Sequence, residues 1–125
     1  MKSILLSIWQ LPQILLGYVV ILVTRSSKVK TYKDAVIYSP ERLMFGVSFG
    51  PIIILPLPLA NNVHLLSHEY GHSIQSKIFG PLYLIVVGLP SITWNILTRI
   101  GILDPRKYYL RYPENWADKL GGVRR

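Results

Sequence analysis

Two histidines and a glutamate near the middle of the chain have the spacing of a metal site. The stretch His68-Glu69-Tyr70-Gly71-His72 matches the HExxH pattern. On a helix, His68 and His72 lie one turn apart, so both imidazoles point toward one ion. Glu69 then lies beside them, where its carboxylate can accept a proton from water on the metal. Five residues can also match such a pattern by chance, so the rest of the chain must supply the missing parts.

A catalytic zinc ion usually has three protein ligands and one open position, so two histidines are not sufficient. The chain has no cysteine, and the third ligand must therefore be a histidine or a carboxylate. His64 lies one turn before His68, but three successive turns of one helix cannot surround an ion tetrahedrally. We therefore expect His64 to be a partly exposed residue at the start of the helix.

The better third ligand lies in Glu114-Asn115-Trp116-Ala117-Asp118. Its two carboxylates are four residues apart, so on a helix Glu114 can reach the metal while Asp118 accepts from the N–H of a ligating histidine. The alternative is that Glu114 is a first-turn residue favoured by the helix dipole and that Asp118 is solvated. Taken alone, these residues favour the second interpretation.

Taken together, HExGH and the later ExxAD resemble the gluzincin metallopeptidases. The resemblance is closest to the membrane-bound group that includes the heat-shock membrane protease and the CAAX-processing zinc protease. The short chain also resembles the minimal single-domain minigluzincins. The resemblance covers the two motifs and the order of strand before helix. It does not cover the N-terminal segment or residues 82–100.

The resemblance implies Zn²⁺ bound by His68, His72 and Glu114, with Glu69 as general base and Asp118 supporting a ligating histidine. It implies an endopeptidase, in which water attacks a peptide bond of a peptide or protein substrate. The residue that stabilises the oxyanion is left unassigned among Tyr108, Tyr109, Tyr112 and Arg111, because tyrosines near an apolar segment often lie at a membrane interface.

The composition predicts contact with lipid. Half of the 125 residues are hydrophobic, only 16% are charged, and the mean hydropathy is +0.35. The net charge is +8, but the basic residues are scattered at the ends of apolar segments. That arrangement favours anionic headgroups over nucleic acid, which we do not expect as a partner. Nothing in the sequence indicates the oligomeric state.

The segment from Ile4 to Val23 is almost continuously apolar and about long enough to cross a bilayer as a helix. Residues 1–25 are therefore predicted to form a membrane-anchor helix, although Gln10, Pro12 and Gln13 interrupt the pattern. A cleaved signal peptide is the alternative, but no small-x-small cleavage site follows. The basic residues after the anchor predict an active site on the cytoplasmic side.

Residues 26–125 are predicted to form a minimal zinc metallopeptidase-like domain of the α+β class, with a short sheet. Residues 31–38 read as one strand. Residues 43–59 contain too many glycines and prolines for a spanning helix and read as one or two strands, centred on residues 47–55. An exposed edge strand there could bind a peptide by adding it to the sheet, and an ordinary core strand is the alternative.

The motif helix is predicted to run from Val63 to Ile78 or Phe79. Asn61 or Asn62 would cap its start, and Gly80-Pro81 would end it. Gly71 lowers helix propensity by about 1 kcal/mol relative to alanine, which suggests that another backbone approaches there.

A second apolar stretch, residues 82–100, is long enough to span a membrane, but Gly88-Leu89-Pro90 divides it. His72 and Glu114 must also lie on the same side of any membrane to share one ion. The stretch is therefore predicted to form a helical hairpin or to pack on the protein. A short helix with Pro113 in its first turn should follow, ended by Gly121-Gly122.

Two other functions fit parts of this pattern. An intramembrane protease of the site-2 type would use an aspartate after a leucine, as in Leu103-Asp104, although Asp104 is better explained as a helix-end residue. A catalytically inactive, membrane-associated metal-binding or immunity-like interaction protein is the other alternative. It remains open because Glu69 is needed for hydrolysis but not for binding metal.

Overall fold

A computed structural model describes residues 2–40 and 46–123 and has an α+β fold, as the sequence predicts. Its four-stranded mixed sheet consists of β1 (Ser27–Tyr32), β2 (Ala35–Ser39), β3 (Val47–Phe49) and β4 (Ile52–Ile54). The strands lie in the order β1-β2-β4-β3. The β2–β4 pair is parallel, and the other two pairs are antiparallel. The short strand β3 therefore lies at one edge.

Helices occupy most of the remaining described chain. The α-helices are α1 (Lys2–Trp9), α2 (Leu11–Thr24), α3 (Val63–Phe79), α4 (Leu89–Arg99) and α5 (Glu114–Gly121). Short 3-10 helices cover Leu57–Leu59, Gly80–Leu82 and Pro105–Leu110, and a π-helical turn covers Leu84–Gly88. The motif helix α3 and the Glu114 helix α5 thus form close to their predicted bounds.

The sheet separates two apolar clusters because successive side chains of a strand point to opposite faces. Ile37 and Ile53 pack with Leu66 of α3 on one face. Ile52 and Ile54 pack on the other face with residues of α2 and of the segment that follows α3. The sheet thereby holds α3, which carries the motif, on one side and the N-terminal helices on the other.

The chain before the motif forms two hairpins. The single strand predicted over residues 31–38 is wrong, because a turn at Lys33 and Asp34 divides it into β1 and β2. Lys33 has φ +52° in this turn. The strands expected around residues 47–55 are confirmed as β3 and β4, joined at Gly50 with φ +68°. Residues 43–45 of that prediction lie outside the described residues.

The single anchor helix predicted over residues 1–25 is not supported. The chain forms α1 and α2, which meet at Gln10, and Pro12 at the start of α2 has no N–H to continue the ladder of α1. The side chains of Gln10 and Gln13 are buried against α3. Among the described residues, no helix combines the length and apolarity needed to cross a membrane.

The predicted hairpin over residues 82–100 is also not observed, and the alternative, packing on the protein, describes this segment. Residues 80–99 follow one helical path from the 3-10 helix through the π-helical turn into α4. Pro90 lies at the junction where the π-helical turn passes into α4, and it does not divide the segment. The buried Tyr83 donates a hydrogen bond to the Ser48 carbonyl of β3.

Candidate metal centre

Helix α3 places the two motif histidines on one buried face. The Asn62 side chain caps its start by accepting a hydrogen bond from the Leu65 N–H at 3.2 Å, and Gly80 ends it, as predicted. His68 and His72 are both buried, and their ring centroids lie 4.8 Å apart. The one-turn spacing therefore brings both imidazoles together inside the protein.

Helix α5 approaches α3 closely enough to bring Glu114 to these histidines because two glycines remove side chains from the contact. A Cβ placed on Gly71 would lie 1.9 Å from the Ala117 carbonyl oxygen, and one on Gly121 would lie 1.8 Å from the Ser67 carbonyl oxygen. The close backbone approach predicted at Gly71 is thus confirmed. The sequence predicts that Gly121 helps to end α5, but it does not predict this close contact.

One oxygen of Glu114 lies between the two histidines. Its Oε2 is 2.8 Å from His68 Nε2 and 2.8 Å from His72 Nε2. One ligand atom from each of the three residues can be chosen so that all lie within 4.8 Å of one another, and all three residues are buried. Two imidazole nitrogens and a carboxylate are a donor set that divalent transition metals accept. These residues therefore fit a metal ion with a three-ligand site.

The other nitrogen of each imidazole is held by a separate partner. His68 Nδ1 lies 2.7 Å from Asp118 Oδ1, the contact predicted for Asp118. His72 Nδ1 lies 2.7 Å from Gln75 Oε1, and Gln75 Nε2 donates to the Pro113 carbonyl at 3.1 Å. Such partners fix the ring orientation and leave each Nε2 directed at the shared centre. Sequence reasoning gave Gln75 no role, although it lies one turn after His72 on the same face.

The second oxygen of Glu114 is held by two hydroxyl groups. The Ser91 hydroxyl of α4 and the Tyr108 hydroxyl both donate to Glu114 Oε1, the latter at 3.1 Å. Asn95 Nδ2 lies 3.4 Å from the Tyr108 hydroxyl oxygen. With Oε1 occupied in this way, Glu114 presents Oε2 alone to the histidines. Ser91 was not predicted, whereas Tyr108 was among the residues considered for the oxyanion.

Charge interactions within the cluster shift the pKa values of its members. Burial lowers the pKa of His68, but hydrogen bonds to Asp118 and Glu114 outweigh it and raise the pKa to about 9. Burial raises the pKa of Glu114, but the charge of His72 and the hydrogen bonds from both histidines lower it overall. Because imidazoles bind metal in their neutral form, metal binding here would release protons.

Glu69 is buried beside the cluster without joining it. Burial raises the pKa of Glu69, and the charges of His72 and His68 only partly oppose this rise. Its Oε2 is buried and has no hydrogen-bond partner among the residues described. A carboxylate with an unused oxygen next to a metal centre is suited to accept a proton from water.

A cleft of about 210 Å³ opens beside Glu69 and His72. Gly46 and edge strand β3 line it, together with residues of α4 and the π-helical turn. Most of its lining is apolar, and Ser91, Asn95 and Tyr108 add polar groups near Glu114. The cleft gives a bound molecule access to Glu69.

The other residues considered from the sequence lie elsewhere. His64 is exposed at the start of α3, outside the cluster, as expected. Asp104 caps the 3-10 helix over residues 105–110 by accepting from the Arg106 N–H, which agrees with a helix-end role. The Tyr109 ring packs edge-on against His68 at 5.0 Å, and the Tyr112 hydroxyl donates to the Val86 carbonyl.

Comparison of the chain with models of protein families, with curated proteins and with solved structures gives no match. Function must therefore be inferred from the cluster of His68, His72 and Glu114, from Glu69 and from the cleft beside them.

Proposed function

We propose that the protein is a zinc-dependent endopeptidase with a zincin-like fold of the gluzincin type. The observation that carries this proposal is the convergence of His68, His72 and Glu114, from two helices, with Glu69 beside them. The buried partners of both imidazoles add support, because sites of this kind orient their ligands in this way.

Each residue has a defined role in the proposed reaction. His68, His72 and Glu114 would hold the ion, which when bound supplies a Lewis acid that polarises the substrate carbonyl and acidifies water. Glu69 takes the proton from the attacking water and passes it to the leaving amine.

The cleft supports a peptide or protein as the substrate. Strand β3 lies at the sheet edge and lines the cleft next to Glu69, so an extended chain could pair with it. The Tyr83 hydroxyl already occupies the Ser48 carbonyl, so such pairing would have to use the part of the edge near Gly46. Gly46 is also where a Cβ would lie 3.2 Å from Glu69 Oε1, so the backbone there is close to the general base.

The location of the site relative to a membrane stays a prediction. The cytoplasmic orientation depended on a spanning anchor, which the described helices do not provide. It now has only the basic residues that follow α2 as support. The candidate metal centre gives no support to the site-2 alternative, because the Asp104 side chain caps a 3-10 helix.

The proposal is tested with the purified, zinc-loaded full chain and a diverse peptide library analysed by mass spectrometry. We expect cleavage that stops with a chelator, and a loss of about 10²–10⁴-fold in the Glu69→Gln variant, which removes only the base. The variant should keep its zinc. Equal cleavage by both proteins would overturn the mechanism. No cleavage of any peptide by zinc-loaded wild type would favour the inactive metal-binding alternative.

A further inference from the structure

The N-terminal helices have their polar residues inside and their apolar residues outside. Gln13 is fully buried, and its Nε2 donates to Ser76 Oγ at 2.7 Å and to the Gly80 carbonyl at 2.9 Å. By contrast, Leu22 of α2 is 78% exposed, and Ile4 of α1 is 63% exposed. A helix on the surface of a water-soluble protein normally shows the opposite arrangement. Polar and small residues between helices, with apolar side chains outside, are typical of helices in contact with lipid.

The helical segment over residues 80–99 repeats this arrangement. Its polar side faces the metal centre, where Ser91 contacts Glu114 and Asn95 contacts Tyr108. Its other side carries one exposed stripe at helical spacing, formed by Leu82, Ile85, Leu89, Ile92, Ile96 and Ile100. We call this stripe, together with the exposed apolar residues of α1 and α2, the outer apolar surface.

The two parts of the outer apolar surface meet at the cleft. Leu16 of α2 and Leu89 and Ile92 of the stripe are exposed, and all three also line the cleft that contains Glu69. The entrance to the candidate metal centre is therefore bordered on two sides by apolar side chains directed outward.

The charge distribution identifies an anionic lipid surface as the partner. Residues 1–33 and 70–103, which include the whole outer apolar surface, contain no aspartate or glutamate. Exposed Arg25 and Arg99 follow or end α2 and α4, and the net charge of the chain is +8. A second copy of this chain would bring like charges together, whereas anionic headgroups attract them. Exposed Trp9 and Tyr18 have the amphipathic rings that favour the membrane interface.

We propose that the outer apolar surface lies in the plane of an anionic lipid bilayer, with α1, α2 and the stripe inserted at the headgroup boundary. The cleft then opens toward the lipid. In this orientation the substrates would be polypeptide segments presented at the membrane surface. This last step rests on the proposed function. The docking itself does not require catalysis.

The test is flotation of the purified full chain with vesicles of phosphatidylcholine and phosphatidylglycerol in equal parts. Leu22→Glu in α2 and Ile85→Glu in the stripe place a charge in the outer apolar surface. Leu57→Glu is the matched control, because Leu57 is 62% exposed but lies outside that surface. We expect wild type, Leu57→Glu and Glu69→Gln to float equally. The other two variants should lose about tenfold or more in partition, since a charge is costly in apolar lipid.

Vesicles of phosphatidylcholine alone should bind less, because they lack the anionic charge. Zinc content and thermal unfolding check that each variant is folded. Undiminished flotation of both Leu22→Glu and Ile85→Glu would overturn the proposal. The proposal would also be overturned if the wild-type chain does not bind vesicles but forms dimers, and both glutamate variants are monomeric. A second copy of the chain would then cover the surface. Glu69→Gln separates the two hypotheses, since it can lose cleavage while keeping lipid binding.

Discussion

The α3–α5 pair and the outer apolar surface differ in which residues they bury. Between α3 and α5 the protein buries His68, His72 and Glu114, and the backbones touch at Gly71. In α1, α2 and the stripe, large apolar side chains are exposed, and polar residues such as Gln13 face inward. The polar residues of the candidate metal centre thus lie in the interior, whereas many apolar side chains of α1, α2 and the stripe lie on the exterior.

The difference shows what each region requires to keep its place. The α3–α5 contact depends on missing side chains and on paired charges, so it should tolerate little added volume and no lost partner. The outer helices are attached by a few hydrogen bonds and by the side of α2 that packs against the sheet. Their exposed sides should therefore tolerate substitution in water. Four predictions test this contrast.

The largest effect should follow Gly71→Ala. The added Cβ would lie 1.9 Å from a backbone oxygen that cannot move without displacing α5, so we expect a loss of about 3 kcal/mol in the free energy of unfolding. Gly88→Ala is the matched control in the outer region. There a Cβ would lie 3.7 Å from its neighbours in Leu84 and Tyr83, and removing a helical glycine should stabilise the protein by about 0.5–1 kcal/mol. Denaturant unfolding measures both, and equal shifts would remove the contrast.

Glu114→Ala should reduce zinc affinity by more than about 100-fold, the upper value for residues that only support a ligand. The physical reason is that the variant loses one of three donors, namely the carboxylate oxygen that lies 2.8 Å from the Nε2 atoms of both His68 and His72. Chelator competition measures the affinity. Asp104→Ala and His64→Ala, which lie outside the cluster, should bind zinc as wild type does. Retained zinc in Glu114→Ala would refute its assignment as a ligand.

Ser91→Ala and Tyr108→Phe should each lower zinc affinity by about tenfold, because each removes one hydroxyl that holds Glu114 Oε1. The absorption spectrum of the cobalt-loaded protein should also change, since Glu114 Oε1 is then held by one hydroxyl in place of two and the carboxylate is less firmly oriented. Tyr112→Phe serves as control, because it removes a hydroxyl that donates to the Val86 carbonyl and not to Glu114. Unchanged affinity and spectrum in both variants would show that Glu114 is held by its backbone position alone.

The smallest effect is expected for Ser76→Ala, which removes the hydroxyl between Gln10 and Gln13. Buried amide groups that lose a partner cost about 1 kcal/mol or more in the free energy of unfolding. Thr93→Ala, an exposed residue of α4, should change it by no more than about 0.5 kcal/mol. If both behave alike, hydrogen bonds do not attach the N-terminal helices.

Much of the site could be predicted because its signals are local. The caps of α3, the one-turn spacing of His68 and His72, and the spacing of Glu114 and Asp118 all follow from helix geometry. Gly71 indicated the close approach of another backbone, although the sequence could not say that the neighbour would be Ala117.

Contacts that depend on the path of the chain were not predictable. Ser91 reaches Glu114 only because residues 80–99 form one helical path, whereas the sequence suggested a break at Gly88 and Pro90. Gln10 and Gln13 were interpreted as flaws in an anchor, since apolar periodicity does not show which side of a helix meets the protein. Their partner, Ser76, lies more than sixty positions away.

The hydrogen bond from Ser91 to Glu114 joins the two regions, because α4 carries both Ser91 and part of the outer apolar surface. If zinc and lipid bind as proposed, any interaction that steadies α4 also steadies a metal ligand, so the two binding events should share a free energy of coupling. Such coupling is reciprocal. Vesicles should raise zinc affinity by the same factor by which zinc raises vesicle affinity, and Ser91→Ala should reduce both factors toward one. The metal centre would then be most complete where the bilayer is.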